Sequence, residues 1–258
     1  MFSNKRRLFA LLFLLVAIPV QATITAGQHV FAQASSVQTI TTASIDTTGC
    51  TLLVAVLNGQ GGDTWPATPI TDNKSNVWHG LTLRSASGDK VQIWYSYTGN
   101  VGTGHTFTMS ITNASGYFNV AASGWKGTAT DSTVFDVETG NAACSPSTSC
   151  APGSLSPAVS GEVAITGTGS DDSPSALTVD TATSGFNIID SARSGEYFGT
   201  ASKIDAASAA FNPTWTMTGN TDTTAPSAMA AFKPISVPAT SACTLSNGVV
   251  FSNGAKCF

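Results

Sequence analysis

The residues best suited to chemistry in this chain are aromatic rings set beside amides and hydroxyls. Trp65 follows the loop Asn58-Gly-Gln-Gly-Gly62 and is flanked by Pro66 and Pro69, outside any strand that would bury it. The run Asp72-Asn-Lys-Ser-Asn76 leads through Trp78 to His79. In Val91-Gln-Ile-Trp-Tyr-Ser-Tyr97, an extended backbone puts Val91, Ile93, Tyr95 and Tyr97 on one face and Gln92, Trp94 and Ser96 on the other. With the aliphatic pair in the core, Trp94 stands on a polar face next to Gln92. A flat indole beside amides offers a sugar ring both stacking and directional hydrogen bonds. The candidate ligand-binding residues are therefore Trp65, Asp72, Asn76, His79, Gln92 and Trp94. The competing role for Trp94, and for Trp78 and Trp125, is burial between two sheets, the commoner place for tryptophan.

Other chemistries have weaker support. Asp136-Val-Glu138 has the i, i+2 spacing that projects two acids from one strand face, as a glycosidase pair requires. Solvated acids before the turn at Gly140 explain the same spacing, and Asp131, Asp171, Asp172 and Asp222 read as loop acids. There is no G-x-S-x-G elbow. His79 or His105 would join a triad only through distant loops, and a histidine bonded to nearby backbone accounts for each. The Asp72–Asn76 run places oxygen donors at its ends, but Lys74 stands where a calcium loop wants an acid or amide. An Asx turn is the simpler account. With no CxxC pair and no histidine near the cysteines in sequence, neither a metal nor another cofactor is expected. The balance leans away from catalysis.

Positioning such residues falls to a β framework. Thr51–Leu57 is apolar on both sides of its alternation, so it should be a central strand covered on both faces. Phe107, Met109 and Ile111 alternate with Thr and Ser, which marks a half-buried strand. No stretch keeps a 3.6-residue apolar period; Lys203–Ala210 is the one candidate for a helical turn. The two halves of the chain also echo each other. Leu52-Leu-Val-Ala-Val matches Glu162-Val-Ala-Ile-Thr, the Phe107 strand matches the Trp215 strand, and the strand ending at Trp125 matches the one ending at Phe232. A nearly constant offset in unchanged order points to a weak internal duplication. Two small sandwiches or one sandwich built from both halves would satisfy it. The second is preferred, because the second half holds one tryptophan and many small residues, a thin core by itself.

The ends and composition bound the setting. Lys5-Arg-Arg7, an apolar run from Leu8 to Val20, and Val20-Gln-Ala22 have the layout of a signal peptide (1–22) cleaved after Ala22. No later run is long enough to span a membrane, so a secreted or periplasmic protein is expected. Only 10% of residues are charged and the net charge is −4, which gives no basic stripe for nucleic acid. Of five cysteines, Cys144–Cys150 and Cys243–Cys257 read as two local disulfide staples in an exported chain, leaving Cys50 as a buried thiol. The main domain should occupy 23–234, with pseudo-halves of about 23–140 and 151–234. A linker and a disulfide-closed C-terminal loop fill 235–258.

The order Thr71-Asp-Asn-Lys-Ser-Asn-Val-Trp78, then Val91 to Thr112, then Gly-Trp-Lys-Gly127 and Ala228-Met-Ala-Ala-Phe-Lys-Pro234, resembles a recurrent domain of bacterial secreted and cell-surface proteins. The resemblance covers about Gln28 to Pro234. It implies a jelly-roll-like antiparallel sandwich outside the cytoplasm and carries over no catalytic residue. The expected function is a non-catalytic binding or adhesion module whose partner is a glycan or another cell-surface component. The alternatives are a structural part of a surface assembly and a polysaccharide-active enzyme using Asp136 and Glu138.

Overall fold

The computed structural model describes residues 20–237 except 61, 63, 87, 98, 114–115, 146, 171–175, 180–183, 193–196 and 206–207, and adds the short strands at 243–244 and 250–251. Residues 1–19 of the expected leader (1–22), the acids Asp171 and Asp172, and Cys257 lie outside the described residues, so the Cys243–Cys257 staple does too. The chain divides into a large unit, Ala22–Ile235, and a small one made of Met1–Gln21 with Ser236–Phe258. No helix among the described residues is long and apolar enough to cross a membrane.

Strand β1 (Val20–Gln21) belongs to the small unit. The large unit begins with β2 (Thr25–Ser35), β3 (Thr39–Thr41), β4 (Leu52–Gly59), β5 (Ile70–Asp72), β6 (His79–Gly80), β7 (Arg84–Ala86), β8 (Asp89–Tyr97), β9 (Phe107–Ser110) and β10 (Tyr117–Lys126). After a 3₁₀ turn at Ser132–Val134 follow β11 (Phe135–Cys144), β12 (Ser149–Cys150), β13 (Glu162–Ser170), β14 (Ala176–Val179), β15 (Asn187–Ala192), β16 (Tyr197–Asp205), β17 (Trp215–Thr218) and β18 (Ala225–Phe232). In the small unit β1 pairs with β19 (Ser236–Val237), and β20 (Cys243–Thr244) pairs with β21 (Val250–Phe251). The segment from Lys203, expected as a possible helical turn, instead continues strand β16 through Asp205.

The large unit is an all-β antiparallel sandwich. A large sheet of order β2-β10-β4-β8-β6, with β7 also on β8, and a small sheet β3-β9-β5 come from the first half. The second half forms a large sheet β11-β18-β13-β16-β15 and a small sheet β12-β17-β14. The second half begins with β11 at Phe135, earlier than the boundary of 140–151 expected from the sequence; divided there, no sheet of the large unit mixes the halves, and each half builds two sheets of its own, yet they also share a core. Leu52, Val54, Val56, Val91, Ile93 and Trp125 of the first large sheet pack against Val163, Ile165, Phe198, Ala230 and Phe232 of the second. Leu53, Ala55, Leu57 and Trp94 point the other way, onto Ile40, Ile70, Phe107 and Met109 of the first small sheet. Ala164, Ala201, Met229 and Ala231 do the same toward Leu177, Trp215 and Met217. Both large sheets are thus covered on both faces, which is why every residue of β4 and β13 is buried. The thin core expected of an isolated second half is offset by this shared layer.

The two halves correspond strand for strand: β2 with β11, β10 with β18, β4 with β13, β8 with β16, β6 with β15, and likewise in the small sheets. Register aligns the residues. Trp125 lies opposite Leu52, and Phe232 opposite Val163. Leu52 therefore matches Val163, one residue beyond the Glu162 inferred from sequence. That slip matters, because a shift of one residue exchanges the two faces of a strand.

With the register corrected, Val56 matches Gly167 and Asn58 matches Gly169. These counterparts face each other. A Cβ at Gly167 would collide with Val56 Cγ1, and one at Gly169 with the Asn58 amide. Residues meeting their own counterparts are the mark of a two-fold relation. Contacts away from that centre are reciprocal as well. Glu138 accepts hydrogen bonds from Thr82 N at 3.0 Å and Thr82 Oγ1 at 2.7 Å. His29, its counterpart, lies 3.0 Å from Asp190 on the strand that corresponds to β6.

The Cys144–Cys150 disulfide is formed, with a Cα–Cα distance of 5.1 Å. Cys50 is buried and unbridged, and burial pushes its thiol pKa up.

Candidate functional site

At the end of the first large sheet where β8 leaves the core, two loops meet. Asp72, the last residue of β5, builds the first of them. Its Oδ1 accepts from Lys74 N at 2.8 Å and from the Asn76 side chain at 3.2 Å; its Oδ2 accepts from Trp78 Nε1 at 2.7 Å. This is the Asx turn the sequence suggests, tightened by a buried indole donor. Ser75 takes a left-handed φ of 61° to close it. His105 Nε2 sits 3.3 Å from Asp72 Oδ1, near enough to feel its charge but not aligned as a hydrogen bond, and its Nδ1 meets Thr47 Oγ1 at 2.9 Å. Burial lowers the His105 pKa despite Asp72, which favours the uncharged ring. Both Asp72 carboxylate oxygens thus already accept from donors of the protein itself.

Asparagines lace this loop to the one after β8. Asn76 Oδ1 accepts from Asn100 N, Asn76 Nδ2 donates to Asn100 O at 3.0 Å, and Asn100 Nδ2 donates to Lys74 O at 3.0 Å. Asn73 ties Gly104 and Thr106 in the same way. Between the loops lies a pocket of about 390 Å³, lined among others by Ser75, Asn76, Val77, His79, Tyr97 and Asn100. One wall is aromatic. The His79 ring stacks on Tyr97 with centroids 5.1 Å apart and planes 16° apart, and lies 5.2 Å from Tyr95. Tyr95 in turn stacks on Phe135 and leans on Phe232, so the wall is anchored in the shared core.

Of the six predicted residues, Asn76 and His79 line this pocket and Asp72 supports it from beneath. The other three do not converge on it. Trp94 is 5% exposed and packs in the core between the first large and small sheets, where a Cβ on Gly80 would meet its ring at 2.6 Å. It presents no face to a sugar, so the stacking role expected of it is corrected to a core role. Gln92 Nε2 donates to Leu81 O at 2.6 Å and pins the chain after β6. Trp65 follows the far end of β4, whose Leu52 pairs with Tyr97 and whose Gly59 pairs with Lys90, and it packs half-buried on the same outer core. Sequence reasoning missed Tyr97, Ser75 and Asn100. A tyrosine closing a strand just before Gly99-Asn100 was the available signal.

The proposed acid pair also falls apart. A bulge between Phe135 and Val137 breaks the strand alternation. Glu138 is held by Thr82, while Asp136 contacts Lys233 Nζ at 2.7 Å and accepts from Ala158 N at 2.7 Å. The acid that does meet Asp136 is the fully buried Glu162. Burial, reinforced by Asp136, pushes its pKa up to about 7, against the pull of Val159 N and Lys233. An unfolded glutamate ionises from about 4.5, so this site loses stability as pH rises from there to about 7. Glu162→Gln, which keeps an acceptor for Val159 and supplies a donor for Asp136, should therefore stabilise the protein at pH 8 by up to about 3 kcal/mol and give little at pH 4. Melting temperatures at both pH values check this; an equal difference at both would sink it.

No family model matches the chain, and no curated protein or solved structure is significantly similar to it.

Proposed function

We propose that this chain is an exported, non-catalytic module that binds a glycan in the Asn76–His79–Tyr97 pocket. One observation carries the reading: the mutually stacked His79 and Tyr97 rings, their planes 16° apart, line the pocket beside the exposed residues Ser75 and Asn100. An apolar plate with polar groups at its rim matches a pyranose, which has an apolar ring face and a circumference of hydroxyls. The loops are cross-tied before any ligand arrives, so little ordering cost falls on binding. No carboxylate stands among the residues named on the pocket wall. This favours holding a sugar over cleaving it. The leader-like N-terminus, the low charge and the resemblance to secreted and cell-surface domains support an extracellular or periplasmic setting.

The test is a glycan array on the purified chain, followed by calorimetry with the best ligand. Tyr97→Ala should weaken binding about tenfold or more while leaving the melting temperature within a few degrees, because Tyr97 lies at the edge of the core. Trp65→Ala and Gln92→Ala should leave affinity unchanged. A blank array, or full affinity in Tyr97→Ala, would overturn the assignment.

A further inference from the structure

Three adjacent strands of the second large sheet, β11, β18 and β13, bring one lysine and two acids to a single point. Val163 pairs with Phe232 and both point into the shared core, so their neighbours Glu162 and Lys233 fall side by side on the opposite face. On the other flank of β18, the bulge between Phe135 and Val137 sets Asp136 outside the ladder and turns it to the same spot. Backbone bonds hold the lysine in place: Lys233 N donates to Val134 O at 2.7 Å, and Lys233 O accepts from Ala129 N at 3.0 Å.

The contacts are those of a reacting pair with a proton carrier beside it. Lys233 Nζ lies 2.7 Å from Asp136 Oδ1, and the Asp136 side chain is only 8% exposed. Asp136 Oδ2 accepts from Ala158 N, also at 2.7 Å. Glu162 is wholly buried. Its Oε1 accepts from Val159 N at 2.9 Å, whereas its Oε2 has no donor to meet it, and the carboxyl group lies against Asp136. Two carboxyl groups meet out of water only by sharing a proton, and the burial that raises the Glu162 pKa keeps that proton on Glu162. A surface lysine–aspartate pair stays ionic because water solvates both charges. Here the amine is held against a carboxyl group from which water is largely excluded, with an acid at hand. That supplies a nucleophile, an electrophilic carbon and a proton carrier in one fixed arrangement.

We propose that Lys233 and Asp136 condense into an intramolecular amide, with Glu162 as the proton carrier. The Lys233 ammonium gives a proton to the Asp136 carboxylate, leaving an amine and a carboxylic acid. The Nζ lone pair forms a bond to Asp136 Cγ, and the carbonyl electrons move onto Oδ2, where the Ala158 N–H steadies the charge. Glu162 then gives its proton to the Oδ1 hydroxyl, the Cγ–Oδ1 bond breaks, and water leaves as the carbonyl re-forms. The proton shed by Nζ returns to Glu162. One ammonium and one carboxylate become one amide and one water, Glu162 ends as it began, and no oxidant, reductant or activated co-reactant is consumed. The Lys233 side chain is 30% exposed, which gives the water a way out. The bond joins the end of β18 to the start of β11, so it closes nearly the whole second half into a covalent loop and restricts the unfolded chain. It is independent of glycan binding, since none of the three residues lines that pocket.

The test is mass spectrometry of the full chain, purified folded, then denatured and reduced. Wild type should be lighter than its amino-acid sequence requires by one water, and a tryptic digest should yield the Asp136 and Lys233 peptides joined to each other. Lys233→Arg keeps the positive charge but offers a guanidinium in place of the amine, so it should show the full mass and melt lower by about 10 °C or more. Glu162→Gln, which has no acidic proton to pass, should retain most of the full mass. Lys203→Arg, at the neighbouring lysine, should leave the water loss unchanged. The pH-dependent gain predicted above for Glu162→Gln belongs to the unbonded chain, so it is measured with Lys233→Arg in both proteins. A folded wild type of full mass, or a water loss that maps to another pair such as Lys203 and Asp205, would overturn the proposal. Undiminished water loss in Lys233→Arg or in Glu162→Gln would overturn it as well. Should a variant not fold, the wild-type mass and the joined peptides decide alone.

Discussion

Gly167→Val should destabilise the large unit by about 3 kcal/mol or more, enough to lower the urea midpoint sharply. Gly167 sits on β13 at the centre of the shared core, where even a single added Cβ would collide with Val56 Cγ1. Val56 is 2% exposed and its strand is covered on both faces, so the valine has nowhere to go. Overpacking in a closed core typically costs about 1–3 kcal/mol and more when backbone must move. The two-fold relation adds a sharper test. Val56 and Gly167 are counterparts that face one another, so exchanging them preserves the volume at the contact. The double variant Val56→Gly, Gly167→Val should recover most of the loss suffered by Gly167→Val alone, whereas Val56→Gly by itself opens a cavity and costs stability. Simple addition of the two single effects would show that the contact is not what limits this position.

The same logic recurs through the molecule. Asn58 faces Gly169 and uses its side chain to donate to Lys90 O at 2.9 Å and to accept from Asn119 at 2.8 Å. Two identical Asn or Val side chains could not both occupy the centre, and one member of each pair is glycine. Away from the centre the halves differ in another way. One seam between them carries stacked rings beside a polar pocket; the other carries small residues around the buried Trp125. A single architecture thus carries two different seams, without any change in strand order.

What was legible in the sequence follows from which faces are covered. The Thr51–Leu57 run announced burial on both sides, and Phe107, Met109 and Ile111 announced one buried face; the structure has both, with the first strand beginning at Leu52. Trp94 was misjudged for a physical reason. Its neighbours Gln92 and Ser96 make the face look solvated, but the small sheet β3-β9-β5 covers it, and Ser96 is itself 1% exposed. Alternation shows that two faces differ, not that the polar one is wet. Tyr97 was hidden by the opposite effect. It shares a face with Val91 and Ile93 and packs against the same core, yet its ring stays half-buried there and also lines the pocket. The Asp136–Glu138 spacing assumed an unbroken strand, and a bulge between Phe135 and Val137 removed the premise. Pairing partners decide such cases, and they lie far away in the chain.

Asp72→Ala should cost about 3 kcal/mol of stability and abolish the glycan binding proposed for the pocket, although Asp72 is not itself on the pocket lining. Its side chain is fully buried and serves four groups: Lys74 N, Asn76 N, the Asn76 amide and Trp78 Nε1. Truncation leaves the indole N–H buried without an acceptor, and stranding a buried donor costs about 1–3 kcal/mol. It also frees the Asx turn, and with it Asn76, whose amide holds Asn100 and so the far wall of the pocket. Asp72→Asn is informative because it keeps an oxygen for the turn but turns an amide donor toward either the turn or the Trp78 N–H. It should therefore remain destabilised, by less than alanine. Trp78→Phe in the Asp72→Ala background removes the stranded donor, so a thermodynamic cycle should show favourable coupling on the order of 1 kcal/mol or more between the two sites. Glycan affinity should not return in that double variant, because the phenylalanine relieves the buried N–H but rebuilds no turn. Recovery of stability without recovery of binding would separate the two duties of Asp72. Recovery of both would mean that the Trp78 contact alone shapes the pocket and that the asparagine lacing is dispensable.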